Sequence, residues 1–315
     1  LPPVETVLVT GGAGFIGTHL SRALVRAGHR VLSVDLKGTP EVTVAGVSCF
    51  LGDVRDVPTS LSLIQTHGVT AVYHLAATVS VPLCQNDPLE SYSQNVGATL
   101  AVLEACRQAS ITREQPIRFA FASSAALYGR QGEDGAPLAE ERVAPSFQSF
   151  YAAQKHASEK IIELYCITYG IPTLIFRFFN VFGPGQDPTS PYSGVITIFS
   201  RLARENHDLR LDNQGIQTRD FVAVSDLAEV LTNALRLPEA AWNAQPFNLG
   251  SGVATSIRQL ARMVVTLCNS RSDLIDAPPR PGDILHSLAD ISRARKVLSF
   301  EPHAALSAGL EALLK

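Results

Sequence analysis

The sequence has no run of like charge, no apolar stretch near the roughly twenty residues that span a bilayer, and no cysteine pair at metal-ligand spacing. With 29 acidic against 26 basic residues and a net charge of -3, neither nucleic acid nor an anionic membrane is an expected partner. Any anion must therefore be gripped locally. Five cysteines, at 49, 84, 106, 166 and 268, are an odd number at wide spacing, so they are expected to be reduced, buried small hydrophobes rather than disulfides or metal ligands. No metal is expected. Internal repeats and low-complexity tracts are also missing. The opening "LPPVETVLVT" lacks the basic start and cleavage site of a secretory signal, which makes a cytoplasmic location the expectation.

What is present is a chain of 315 residues, 46% hydrophobic, able to bury one large core or two smaller ones. Short apolar runs at 6–10, 30–35, 47–53, 71–76, 117–122 and 172–178 read as buried strands. Helical patterns lie between them near 14–28, 57–67, 85–109 and 148–169. Strict alternation predicts an α/β fold, a doubly wound parallel sheet of the Rossmann kind over residues 1–178. The Pro- and Gly-richer remainder, 179–315, reads as a smaller C-terminal α/β substrate-binding domain, with some segments crossing back to the first.

Within "VLVTGGAGFIGTHL", Gly11, Gly14 and Gly17 follow a strand and open a helix, with Phe15 and Ile16 between them. Glycine serves such a site by allowing a tight turn, close approach of a pyrophosphate, and packing of helix on sheet. Asp35 ends the next strand, where a carboxylate accepts hydrogen bonds from an adenosine ribose and repels a 2'-phosphate, so NAD is expected over NADP. Lys37 tempers that preference, since a cation there can meet a phosphate. Asp53 and Val54 offer the adenine one polar and one apolar contact, and Leu75, Ala76 and Ala77 are apolar or small where a nucleotide backbone would pass.

Tyr151 and Lys155 stand four apart at the start of a predicted helix and so share one face. Such a pair can make a base, because a free phenol with pKa about 10 needs nearby positive charge to ionise near neutrality. Taken alone, the pair is equally a half-buried ring beside a solvated charge.

The ordered set of motifs resembles the extended short-chain dehydrogenase/reductases of the nucleotide-sugar epimerase and dehydratase family. It comprises the glycine turn, Asp53, "HLAA", "SYSQNVGAT" around Asn95, "SSAALYG", Tyr151 and Lys155, "RFFNVFGP", "RDFVAVSDLA" and "RPGD". The resemblance implies that Tyr151 exchanges a proton with a sugar hydroxyl, that Lys155 binds the nicotinamide ribose and stabilises the phenolate, and that Ser124, rather than Ser123, donates to the substrate oxygen. It places Asn95 among the NAD contacts. Family dehydratases carry an acidic pair after that serine or threonine; Ala125 and Ala126 stand there instead, which disfavours dehydration.

The same resemblance implies that Asn180, Arg219 and Arg280 grip a diphosphate, with Arg219 paired to Asp226. Ser287 would gate the sugar pocket as a small residue that admits a 2-acetamido group, and Ser80, Gln186 and Gly194 would face the sugar. Glucuronate epimerases often carry an arginine in the loop where this chain has Gly185 and Asp187. The expected function is an NAD-dependent UDP-sugar 4-epimerase acting on UDP-N-acetylglucosamine and its galacto isomer. The alternatives are a UDP-glucose or UDP-glucuronate 4-epimerase, a nucleotide-keto-sugar reductase, or a dinucleotide sensor without chemistry. A homodimer through helices near 85–109 and 148–169, as a four-helix contact, is implied as well.

Overall fold

A computed structural model describes residues 3–37, 44–142, 147–186, 194–280 and 283–314. Asp187, and Pro281 and Gly282 of the Arg280 motif, lie outside the described residues. The chain opens with β1 (Thr6–Thr10), α1 (Phe15–Arg26), β2 (Arg30–Asp35), β3 (Val47–Leu51), α2 (Val57–His67) and β4 (Ala71–His74). Then come α3 (Val81–Asn86), α4 (Pro88–Tyr92), a wide helical turn at Ser93–Gly97, α5 (Ala98–Arg113), β5 (Arg118–Ser124), α6 (Phe150–Tyr169) and β6 (Thr173–Phe178). The later elements are β7 (Asn180–Phe182), α7 (Val195–Arg204), β8 (Leu209–Asp212), β9 (Thr218–Ala223), α8 (Val224–Ala234) and β10 (Asn243–Leu249). They are followed by β11 (Ala254–Ser256), α9 (Ile257–Leu267), β12 (Leu274–Ala277), β13 (His286–Ser287), α10 (Ser292–Leu298) and α11 (Leu306–Leu314).

Seven strands form one sheet in the order β10-β6-β5-β4-β1-β2-β3, every pair parallel. Parallel strands need crossover helices, and these cover both faces. Leu20 and Leu24 of α1 pack with Leu227 and Leu231 of α8 on one side; Ile64 of α2, Val102 of α5 and Ile162 of α6 pack on the other. The strand order reverses between β1 and β4, so a crevice opens where their carboxyl ends diverge.

Four expectations need correction. The predicted helix 85–109 is broken at Pro88, with Asp87 capping α4 by accepting from the Glu90 amide, and is interrupted again by the wide turn. The run at 47–53 is the exposed sheet edge rather than a buried strand, because nothing pairs with its outer side among the described residues. Cys49 on that edge is exposed, whereas Cys84 and Cys106 are buried and Cys166 and Cys268 partly so; all five are free. The seventh strand, β10, was not read from the sequence at all.

Residues beyond 178 thus extend the main sheet through β10 and cover it through α8. They also make a separate core in which Phe182, Phe199, Leu211, Phe221, Leu260 and Val264 meet. Its centre is β9, paired with β7, β11 and β13. Asp220 on β9 ties the two parts: its buried carboxylate accepts from the Ser251 amide (2.6 Å), the Ser251 hydroxyl (2.8 Å), and the amides of Gly252 (2.9 Å) and Ala289 (3.1 Å). No helix of the described residues is long and apolar enough to cross a membrane.

Candidate active site

A cavity of about 460 Å³ fills the crevice, within the size range of small-ligand sites. Its floor is the turn after β1. Gly11 has φ +68°, and a Cβ there would stand 2.7 Å from the Ala76 amide nitrogen, so only glycine lets this turn meet the end of β4. A Cβ at Gly17 would lie 2.3 Å from the Gly11 carbonyl oxygen, so glycine there lets α1 start against the turn. No side chain caps α1 at Gly14, and its first turn holds no acid. The positive end of the helix and its backbone N–H groups are left to the cleft, as a pyrophosphate requires. This cradle fits a dinucleotide.

Asp35 lines the same cavity and accepts from the amides of Ala13 (3.2 Å) and Lys37 (3.0 Å), so it also braces the glycine turn. Phe15, Ile16, Asp53, Val54, Leu75, Ala76 and Ala77 line it too. Asp53 is already engaged by Arg55, whose Nε lies 2.9 Å from Oδ2 and whose Nη2 lies 2.6 Å from it; this hydrogen bonding holds the carboxyl below its usual range. Arg55 itself lines the cavity and reaches Glu90 at 2.8 Å. The sequence reading missed it, although a cation two residues after an acid in "GDVRD" was a visible signal.

Asn95 does not line the cavity. Its side chain, 2% exposed, accepts from the Thr78 amide (2.7 Å) and donates to the Thr78 carbonyl (3.0 Å) and to Gln154 Oε1 (2.7 Å). It stitches the loop after β4 to α6, and the wide turn is what aims it inward.

The catalytic candidates come together on one wall. Ser149 caps α6 by accepting from the Ala152 amide, which starts the helix so that Tyr151, Lys155 and Glu159 share its buried face. Ser124 ends β5, and its hydroxyl accepts from the Ala126 amide at 3.2 Å. Ser124, Tyr151 and Lys155 all line the cavity. Burial pushes the Tyr151 phenol up to about 12, and the opposing influence of the Ser124 hydroxyl only partly offsets it. Burial lowers Lys155 to about 8. The ammonium donates to the Ala122 carbonyl (2.6 Å), 4.6 Å from the Phe121 ring centroid and 5.9 Å from that of Tyr151. In the ligand-free protein the fixed ammonium therefore does not by itself bring the phenol into the neutral range.

The substrate candidates are more dispersed. Ser287 pairs in register with Arg219, so these two are neighbours. Arg219 is held by Asp283 Oδ1 (2.8 Å) and the carbonyls of Thr218 (2.9 Å) and Ile284 (2.8 Å). The expected partner Asp226 instead accepts from the amides of His303 and Ala304 and secures the approach to α11. Asn180 donates to the Asp220 carbonyl at 2.9 Å, and Gln186 to the Val181 carbonyl at 3.1 Å. Arg280 is 73% exposed and paired with Asp212 at 2.6 Å. Ser80 caps α3 by accepting from the Leu83 amide, and Gly194 precedes α7. Of the substrate set, only Ser124 lines the dinucleotide-sized cavity.

Residues 7–250 match the family described as the NAD dependent epimerase/dehydratase family. The chain belongs to this family. Membership makes it an NAD-dependent enzyme with NAD as cofactor, and its named relatives and structural neighbours, which are 4-epimerases, make it an isomerase. Among similar proteins, UDP-glucose 4-epimerase of Mycolicibacterium smegmatis is 32% identical over 96% of this chain and 95% of its own length. The Thermus thermophilus UDP-glucose 4-epimerase complex with NAD superposes with TM-score 0.86 at 31% identity, covering 98% of this chain and 97% of that one. A UDP-N-acetylglucosamine 4-epimerase from Methanobrevibacter ruminantium, solved with UDP-N-acetylmuramic acid, gives TM-score 0.86 at 29% identity over 99% and 97%. The parallel sheet and glycine turn of this family member are those expected from its sequence.

Proposed function

We propose that the protein is a UDP-sugar 4-epimerase that interconverts UDP-N-acetylglucosamine and its galacto isomer through a 4-keto sugar. The observation that carries this reading is the single wall holding Ser124, Tyr151 and Lys155, with Ala125 and Ala126 where a dehydratase needs acids.

Bound NAD would supply reversible hydride transfer at C4 of the sugar. Tyr151 takes the proton of the C4 hydroxyl and later gives it back, while the Ser124 hydroxyl donates to the same oxygen. Lys155, fixed on the Ala122 carbonyl, would hold the nicotinamide ribose and presents positive charge to the phenol. Asp35 accepts from the adenosine ribose, and Asp53 with Val54 borders the adenine. Alanines 125 and 126 leave the C5 proton and the 6-hydroxyl untouched, so the keto sugar is reduced again rather than dehydrated. On the sugar side, Arg219 and Asn180 hold the diphosphate, and the small Ser287 beside Arg219 leaves room for an acetamido group. Arg280 joins them by leaving Asp212.

In this reading the NAD-binding unit is residues 1–178 and the nucleotide-sugar unit 179–315, with α8 and β10 crossing back. The protein works as a homodimer through α5 and α6, whose outward side carries Leu100, Ile111, Leu164 and Ile167. Leu103, by contrast, is fully buried within the subunit. Purified protein given UDP-N-acetylglucosamine alone should develop the anomeric NMR signals of the galacto isomer without net NADH. Absence of any new isomer with the N-acetylated, glucose and glucuronate nucleotides rejects the proposal. Steady oxidation of added NADH by a keto sugar would establish the reductase instead.

A further inference from the structure

The most completely buried ion pair among the described residues is Glu159–Arg177, with side chains 1% and 5% exposed, and neither residue touches the cavity. We propose that this pair is a positioning device that fixes both flanks of Ser124 and thereby sets where its hydroxyl meets the Tyr151 phenol; the inference rests on the catalytic roles given above.

Glu159 stands one turn beyond Lys155 on the buried face of α6. Its Oε1 accepts from the Ser123 hydroxyl (2.6 Å) and from Arg177 Nε (2.9 Å), and its Oε2 from Arg177 Nη2 (2.7 Å). Ser123 immediately precedes Ser124 and is the register partner of Arg177 across β5 and β6. The other side of the guanidinium holds the far flank. Arg177 Nη1 donates to the Tyr128 hydroxyl oxygen (3.1 Å) and to the Glu140 carbonyl (2.7 Å), and Tyr128 ends the short turn Ala125–Tyr128 that begins right after Ser124. The Tyr128 hydroxyl in turn donates to Asn248 Oδ1 on β10 (2.6 Å).

One carboxylate on the tyrosine helix thus fixes the strand that delivers the serine, and its guanidinium partner fixes the turn that leaves it. Burying such a pair is a poor way to gain stability, since well-packed apolar replacements often do as well. Its bidentate geometry does define distance and angle between α6 and β5, and a misplacement of about 1 Å at a reacting group can cost about a hundredfold in rate. Ser124 from β5, Cys84 from α3 and Lys155 from α6 act on the phenol; the pair reaches Ser124 through Ser123 and Lys155 through the charge of Glu159, and Ser123→Ala changes only the first.

Two variants of the full chain test the proposal. Ser123→Ala cuts the link to β5 without changing charge; Glu159→Met with Arg177→Met removes the pair while keeping apolar bulk. The expected result for Ser123→Ala is a kcat lower by about tenfold to a hundredfold with KM within about threefold, and a pH profile whose rising limb moves to higher pH. The NMR signal of Tyr151 labelled at Cζ, identified with Tyr151→Phe, should move as the Ser124 hydroxyl shifts relative to the phenol. The double variant should show the same changes at an unaltered melting temperature. Wild-type kcat and an unmoved Tyr151 signal in Ser123→Ala overturn the inference, whether or not the double variant folds. If the wild type turns over no UDP-sugar, the functional reading fails, and the Tyr151 signal still decides the positioning.

Discussion

At the scale of single residues, the site depends on a phenol that the fold holds neutral. Burial places Tyr151 at about 12, and added positive charge beside it favours the phenolate. Tyr151→Phe should lower kcat by about 10²- to 10⁴-fold while NAD still co-purifies, as absorbance and turnover assays will show. Lys155 has a measurable counterpart in stability. Its folded pKa of about 8 lies below the unfolded value of 10.5, so the unfolded chain binds the extra proton between them. Stability attached to this residue is therefore lost as pH falls through about 8 and fully regained above 10.5. Relative to Lys155→Met, the wild type should gain about 3 kcal/mol between these limits, read from urea midpoints at each pH. The spacing of Tyr151 and Lys155 on one helix face was legible because a helix repeat is local, whereas Ser124 and the roles of all three came from the family resemblance. The partner of Arg219 was not legible, because Asp283 is 64 residues away in the chain and nothing local chooses it over Asp226.

At the scale of elements, the turn between β1 and α1 carries the most constraint. Gly11→Ala combines a left-handed φ with contact against the Ala76 backbone, so it should cost about 1–3 kcal/mol and weaken NAD binding together. A calorimetric melt and an NAD titration of the same variant check both. Helices α1, α2 and α6 fell within the predicted helical patterns, since one apolar face is a property of a short segment. Strand β10 escaped notice because "NAQPFNL" reads as polar and interrupted by proline, as the edge of a sheet permits. The exposed β3 misled in the opposite direction: its apolar sequence resembles a buried strand, while its place at the other edge leaves it in solvent.

At the scale of the whole molecule, two joints matter. The first is internal, where Asp220 ties β9 to the loop after β10 and to Ala289. The second is the proposed contact between copies. Leu164 is 61% and Ile167 82% exposed on α6, an apolar strip that a lone subunit leaves wet. Leu164→Asp with Ile167→Asp should convert a dimer to a folded monomer in sedimentation; an unchanged mass would place any interface elsewhere.

The amino-acid order alone determined the repeating strand and helix units, the glycine turn and the tyrosine helix, since each is encoded within one or two turns or strands of chain. Tertiary structure decided what those units face. It assigned Asn95 to a structural bridge, gave Arg219 its acidic partner, turned Glu159 and Arg177 into a brace behind the serine, and brought a late strand into the first sheet. The side-chain pairings among these bring together residues 17 to 64 positions apart, and they are chosen by burial and by satisfying polar groups across the assembled core, which no local pattern records.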